Sequence, residues 1–181
     1  MKKIILIAAL AFGVAFAASA QPRAVGGRFG YSGLEASYQH YLGGENFIEA
    51  ELGLDYIGLI GVKGTALYNF MIAQPAWTAR GEWGLYAGPG LSLGYVGDTV
   101  TISDWIMVNG QRITRAVKGY DNGFMMAVTG QIGLEYTFWF PLQLSVDIRP
   151  YIGVHIHGGG EAFYNNGLYG FAPCLSVRYR F

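Results

Sequence analysis

A period of two runs along this chain, and no other feature constrains its fold as strongly. From Phe47 to Tyr56, the residues Ile48, Ala50, Leu52, Leu54 and Tyr56 share one side, and Glu49, Glu51, Gly53 and Asp55 share the other. Leu175, Val177, Tyr179 and Phe181 alternate in the same way with Cys174, Ser176, Arg178 and Arg180. Successive side chains of a strand point to opposite faces, so these are strands with one apolar and one polar face. Trp83, Leu85, Ala87, Leu91, Leu93 and Tyr95 repeat the pattern against Gly84, Gly88, Gly90 and Gly94. Phe124, Met126, Val128, Ile132, Leu134, Tyr136 and Phe138 repeat it again.

The N-terminus points to export. Met1-Lys2-Lys3 is a basic start, Ile4 to Ala18 is apolar, and Ala18-Ser19-Ala20 is a small-x-small cleavage site followed by Gln21-Pro22. These are the regions of a secretory signal peptide, so residues 1–20 are expected to be removed and 21–181 to form one domain. No Cys follows the cleavage site, which excludes a lipid-anchored precursor. Without Lys2 and Lys3 the mature chain has 10 basic against 12 acidic residues, which gives no electrostatic case for nucleic acid. Its single cysteine, Cys174, excludes an internal disulfide framework and reads as a small interior filler. No later run reaches the roughly 18 apolar residues of a spanning helix. For an exported, apolar chain that faces lipid, a closed barrel is the remaining way to pair every backbone group.

Eight strands are expected, at about 23–31, 33–42, 47–56, 63–73, 83–97, 124–138, from 142 onward, and 168–181, close to the length of tilted spanning strands. The fold class is therefore all-β, an eight-stranded antiparallel up-and-down transmembrane barrel. Gly43-Gly44-Glu45-Asn46, residues 74–82 and Trp139-Phe140-Pro141 form the turns on the side of the termini. Residues 31–33, 57–63, 98–123 and 158–167 connect the strands on the other side. Pro89 and Pro150 fall inside strands and predict irregular pairing there.

The two faces differ in charge. Over 24–42, 47–57, 83–96, 124–138 and 142–149 the apolar face carries none, apart from the titratable His40 near an edge. The opposite face holds Arg28, Glu35, Glu49, Glu51, Asp55, Glu135, Asp147, Arg149, Arg178 and Arg180. Aromatics of the apolar face gather at two levels. Tyr31, Tyr56, Tyr95 and Phe124 mark the outer one; Tyr38, Phe70, Trp83, Tyr136, Phe138 and Phe181 mark the inner one. Two girdles are the signature of interfacial aromatics.

These features resemble the small eight-stranded outer-membrane β-barrels, the OmpX-like and OmpA-like class. The stretches Gly130-Gln131-Ile132-Gly133-Leu134-Glu135-Tyr136 and Phe140 to Pro150 are similar to the penultimate hairpin of an uncharacterised subfamily of outer-membrane β-barrel domains, a likeness that carries a fold and no activity. The ending at Val177, Tyr179 and Phe181 resembles the C-terminal assembly signal of such barrels. The resemblance implies the outer membrane of a Gram-negative-type bacterium, outer-membrane lipid as surroundings, and the barrel-assembly machinery as a partner during biogenesis.

An eight-stranded barrel is just wide enough for its own side chains. Arg28, Arg149, Arg178 and Arg180 are expected to pair with Glu49, Glu51, Glu135 and Asp147 as an interior charge network, because unpaired buried charge is costly. That reading is preferred to an ion path. His155 and His157, with Glu161 nearby, have a weak metal-ligand spacing. The preferred reading has no metal and no cofactor. Some barrels of this class modify lipid A, but no Ser lies within two residues of His155 or His157, and His40 lies at the end near the termini. A non-enzymatic monomer with a structural or cell-surface role is expected. A lipid A-modifying enzyme and a soluble exported β-barrel or sandwich are the alternatives. Thr99 to Val117, folded about Asn109-Gly110, reads as a hairpin continuing strands five and six beyond the membrane. Its Trp105, Ile106 and Met107 make 98–123 the candidate for a surface partner.

Overall fold

The computed structural model describes residues 23–31, 33–42, 45–56, 60–108, 111–158, 160–165 and 170–181. The expected signal peptide, the Gly43-Gly44 turn, the Asn109-Gly110 tip and the beginning of the expected last strand lie outside the described residues.

Alternation produces the strands. They are β1 (Arg23–Gly30), β2 (Gly33–Tyr41), β3 (Phe47–Asp55), β4 (Gly61–Ala73), β5 (Glu82–Val108), β6 (Gln111–Thr137), β7 (Leu142–Ile148), β8 (Tyr151–His157), β9 (Gly160–Asn165) and β10 (Cys174–Arg180). Neighbours from β1 to β6 pair antiparallel in chain order, β6 pairs with β7 and β8, and β7 pairs with β10. The seam closes where β10 meets β1, from Ala24↔Arg180 to Phe29↔Leu175. The result is a closed eight-stranded antiparallel barrel.

Burial is inverted relative to a water-soluble protein. Along β3 and β10 Glu49, Glu51, Asp55, Cys174, Ser176 and Arg178 are buried, while Ile48, Leu52, Leu54, Leu175, Val177 and Tyr179 are exposed. The buried set includes Arg28, Glu49, Lys63, Arg149 and Arg178, while Leu52 and Leu91 are each 63% exposed. Glycines on the interior face make room for large neighbours. A Cβ on Gly133 would lie 2.4 Å from the Tyr86 ring, and one on Gly123 would lie 2.8 Å from the His155 ring.

The structure corrects the expected strand plan in two places, and the irregular pairing expected at Pro150 is present. The seventh stave is two strands, β7 and β8, parted at Arg149-Pro150. Pro150 has no N–H to give, but its carbonyl accepts from Gly130 N at 3.3 Å and from Thr129 Oγ1 at 2.8 Å. The register against β6 is the same on both sides, so the interruption is local. The expected loop 158–167 instead contains β9, which pairs with β8 from Ile152↔Asn165 to His157↔Gly160. Gly160 opens it at φ +133°, a conformation L side chains rarely adopt. The last stave then resumes at Cys174, later than residue 168, after a short turn at 170–172. Pro89 remains within β5, and the β4–β5 pairing lapses opposite it, between Leu67↔Gly90 and Phe70↔Ala87.

Strands β5 and β6 do not end at the rim. Each runs for 27 residues, and their pairing continues unbroken from Val96↔Gly123 to Val108↔Gln111. The segment 98–123 is thus the far half of a long two-stranded ribbon.

Candidate functional site

The bore of the barrel is filled in three tiers. At the inner end Tyr41, Phe47 and Tyr86 pack across the lumen, tilted and edge-on, with ring centroids 5.2 and 5.3 Å apart. At the outer end Val96, Met125, Ala127, Tyr151 and Tyr164 form a small apolar cluster. Between these layers lie the charges.

The charges are woven across strands. Arg28 on β1 donates to Glu35 on β2 at 2.7 Å and grips Asp147 on β7, with Nη2 2.7 Å and Nε 3.0 Å from Oδ1. Arg178 on β10 reaches Glu49 and Ser37 and donates to Ser145 at 2.8 Å. Arg149 pairs with Glu51 across the bore. Lys63 on β4 donates to Asp55 at 2.7 Å, lies 3.5 Å from Glu35, and stands 5.1 Å over the Tyr151 ring. Bidentate guanidinium contacts between distant strands tie the wall to itself through the middle.

Two residues of the expected network stand elsewhere. Arg180 lies at the inner rim, partly exposed, 3.7 Å from Glu82 and over the Tyr41 ring. It is the last residue of β10, so its side chain has passed beyond the bore. Glu135 is buried but forms no salt bridge among the described residues; its oxygens meet Gln143 Nε2 at 2.9 Å and Tyr41 Oη at 3.5 Å. Both line a pocket that opens at the inner mouth between Glu45, Glu82 and Tyr41. Lys63 is a further interior cation, outside the expected network. Its signal was the alternation of Val62, Ala66, Tyr68 and Phe70 with Lys63, Thr65, Leu67 and Asn69, which places the lysine inside.

The histidines lie at the outer end of β8. His155 is buried, with Nε2 2.9 Å from the Val96 carbonyl oxygen. His157 stacks on it at 5.7 Å and approaches Asp121 with Nδ1 3.5 Å from Oδ2. Glu161 is opposite Ile156 and exposed, on the other face of the sheet from both rings. It is therefore no third ligand, and no group of three candidate ligands occurs among the described residues. His40 lies beside Tyr38, with Nδ1 3.3 Å from the hydroxyl. Cys174 is buried against Gly30, where a Cβ would come within 2.2 Å of its sulfur.

Outside the bore, the hairpin presents Trp105, Ile106 and Met107 to solvent, with the Arg112 guanidinium 4.5 Å over the Trp105 ring. At its root, burial holds the Asp98 carboxyl above the usual carboxylate range, partly offset by the Thr99 N–H that Oδ1 accepts at 2.7 Å. On the apolar exterior at the inner end, Trp77, Trp83, Tyr136, Phe138, Trp139 and Phe140 form a chain of ring contacts 4.6–5.9 Å apart. Tyr31, Tyr56, Tyr95 and Phe124 are exposed at the outer end.

The chain is similar to the crystal structure of the N-terminal beta-barrel domain of Pseudomonas aeruginosa OprF. The likeness has a TM-score of 0.54 at 14% identity and covers 88% of this chain and 96% of that one. It shows the fold, that of the small eight-stranded outer-membrane barrels. No protein-family model matches the sequence, and no curated protein matches it.

Replacing Arg178 with Met is expected to destabilise the barrel by about 3–5 kcal/mol, because Glu49 is left buried without its cation. The loss is read as a lower urea midpoint in lipid vesicles. Replacing Glu49 with Leu in the same chain should recover most of it.

Proposed function

We propose that this protein is a non-enzymatic resident of the outer membrane of a Gram-negative-type bacterium. It acts as a monomeric barrel with a self-filled lumen, and its β5–β6 hairpin is a contact surface outside the cell. One observation carries the reading: the wall is apolar outward and charged inward. In water the exterior would expose Leu52, Leu91, Val128 and Ile152 around the whole circumference, far more contiguous apolar surface than a soluble monomer carries. A hydrocarbon layer between two aromatic levels removes that cost. On this reading residues 1–20 direct export and are cleaved, and 21–181 form the mature barrel.

The filled bore argues for a structural or surface-contact role over passage of solutes. The charged tier lies between two layers of buried rings, and its groups are bonded to each other. Heating before electrophoresis should slow the band's migration, and the protein should fractionate with outer membranes. In planar bilayers it should give no large stable conductance steps. A freely water-soluble product sinks the membrane reading, and large steps sink the filled lumen.

The last stave has a second proposed role. Val177, Tyr179 and Phe181 are the signal read by the barrel-assembly machinery, with Tyr179 and Phe181 stacked outward at 6.1 Å. Deleting Phe181 touches neither the charged tier nor the β1–β10 register, so the folded barrel should keep its urea midpoint while its yield in the membrane falls. Unchanged yield removes the assembly role.

The hairpin supplies the contact surface. A two-stranded ribbon has no core of its own and is marginal in water, yet this one exposes Trp105, Ile106, Met107 and Ile113. Replacing residues 99–120 by a short turn should leave a heat-modifiable barrel and reduce adhesion or aggregation of cells that display it. Adhesion equal to that of the parent refutes the hairpin's role.

A further inference from the structure

The charges inside the bore do not balance. Among the described residues six carboxylates are buried, those of Glu35, Glu49, Glu51, Asp55, Glu135 and Asp147, against the four cations of Arg28, Lys63, Arg149 and Arg178. Each of the other five carboxylates lies in at least one salt bridge. Glu135, 5% exposed, has none among the described residues. Its contacts are those of a group in a neutral setting: Gln143 Nε2 lies 2.9 Å from one oxygen, and the Tyr41 hydroxyl lies 3.5 Å from the other. The same amide nitrogen is 3.2 Å from the Tyr41 oxygen, which closes a triangle.

The charged and titratable groups that face Glu135 come from four strands. They are Tyr41 on β2, Glu49 on β3, Tyr86 on β5, and Arg178 and Arg180 on β10. Arg178 is committed to Glu49, and Arg180, over the Tyr41 ring, pairs with Glu82. An ionised carboxylate shielded from water without a counter-ion is expensive, and taking up a proton removes the charge. The pocket at the inner mouth gives that proton a route, because Glu135 lines it together with the exposed Glu82.

We propose that Glu135 is a proton-binding site of the folded barrel, a neutral carboxylic acid at neutral pH that exchanges its proton through the inner mouth. The step is the addition of one proton to one carboxylate oxygen, with no other bond made or broken. The acid hydroxyl then faces the Tyr41 oxygen, while the second oxygen accepts from Gln143. The proposal rests on the closed lumen alone and stands whether or not the hairpin binds a partner.

The sign of the consequence is fixed by linkage. In the unfolded chain a Glu ionises near its ordinary value of about 4.3. Above that pH the folded barrel holds one proton more than the unfolded chain, so its stability falls as pH rises. Urea midpoints of the wild type and of Glu135→Gln are to be compared from about pH 5 to about pH 9. Every other titratable group is present in both proteins, so the difference between the two curves reports the loss of the Glu135 proton. The expected result is that the wild type loses midpoint relative to Glu135→Gln as pH rises, and that Glu135→Gln becomes the more stable of the two. A difference that is constant with pH overturns the proposal. So does a Glu135→Gln barrel destabilised at every pH as much as Glu51→Gln, which breaks the pair with Arg149. Infrared spectra of the wild type give a check independent of the variant's folding: the folded protein should show a protonated-carboxyl stretch at neutral pH, and its absence refutes the site.

Discussion

Everything in this molecule depends on the closing of the wall between β1 and β10. A sheet has two edges, each a row of unpaired N–H and C=O groups, and in an apolar medium each unpaired group costs several kcal/mol. Here the two edges meet each other, from Ala24↔Arg180 to Phe29↔Leu175. Closure sets the inside and the outside for the whole circumference at once. Because side chains alternate, placing Tyr179 and Val177 outward obliges Arg178 and Ser176 inward, and the same parity then governs each neighbour through the ladder.

The narrow bore that follows explains the interior. Eight staves leave space for side chains and little else, so the polar faces have to satisfy one another. Arg28 binds partners on β2 and β7, and Arg178 reaches β2, β3 and β7. Each arginine therefore ties strands that are distant in sequence, and the pairs act as cross-struts as well as charge neutralisers. Large rings seal the two ends, and glycines such as Gly133 and Gly123 provide the room those rings and His155 need.

Residues near the rims were less legible than those at mid-wall. The alternation placed Arg28, Glu49, Glu51, Asp147, Arg149 and Arg178 on one face, and the structure brings these together. Arg180 has the same parity but stands past the last full turn of the bore, where the constraint that drives pairing is gone. Glu135 also has interior parity, but the cations within reach are taken by other carboxylates, a matter of three-dimensional competition that no one-dimensional pattern records. Strand β9 was hidden for a related reason. Gly160 to Asn165 has weak alternation, and it becomes a strand because β8, from Ile152 to His157, offers it a ladder. The ribbon of β5 and β6 was readable, since Asn109-Gly110 lies between two β-prone runs.

The sequence by itself determined that strands form, which residues of each share a face, that one face is free of charge, and hence that the sheet must close. Those properties follow from local geometry and from the solvation of side chains, which act residue by residue. Tertiary structure decided which carboxylate meets which guanidinium, that Lys63 serves two acids, that Glu135 has no salt-bridge partner among the described residues, and that the last stave divides into β9 and β10. These depend on the register of staves brought together by closure, and on distances of a few ångströms across the bore, which alternation alone does not encode.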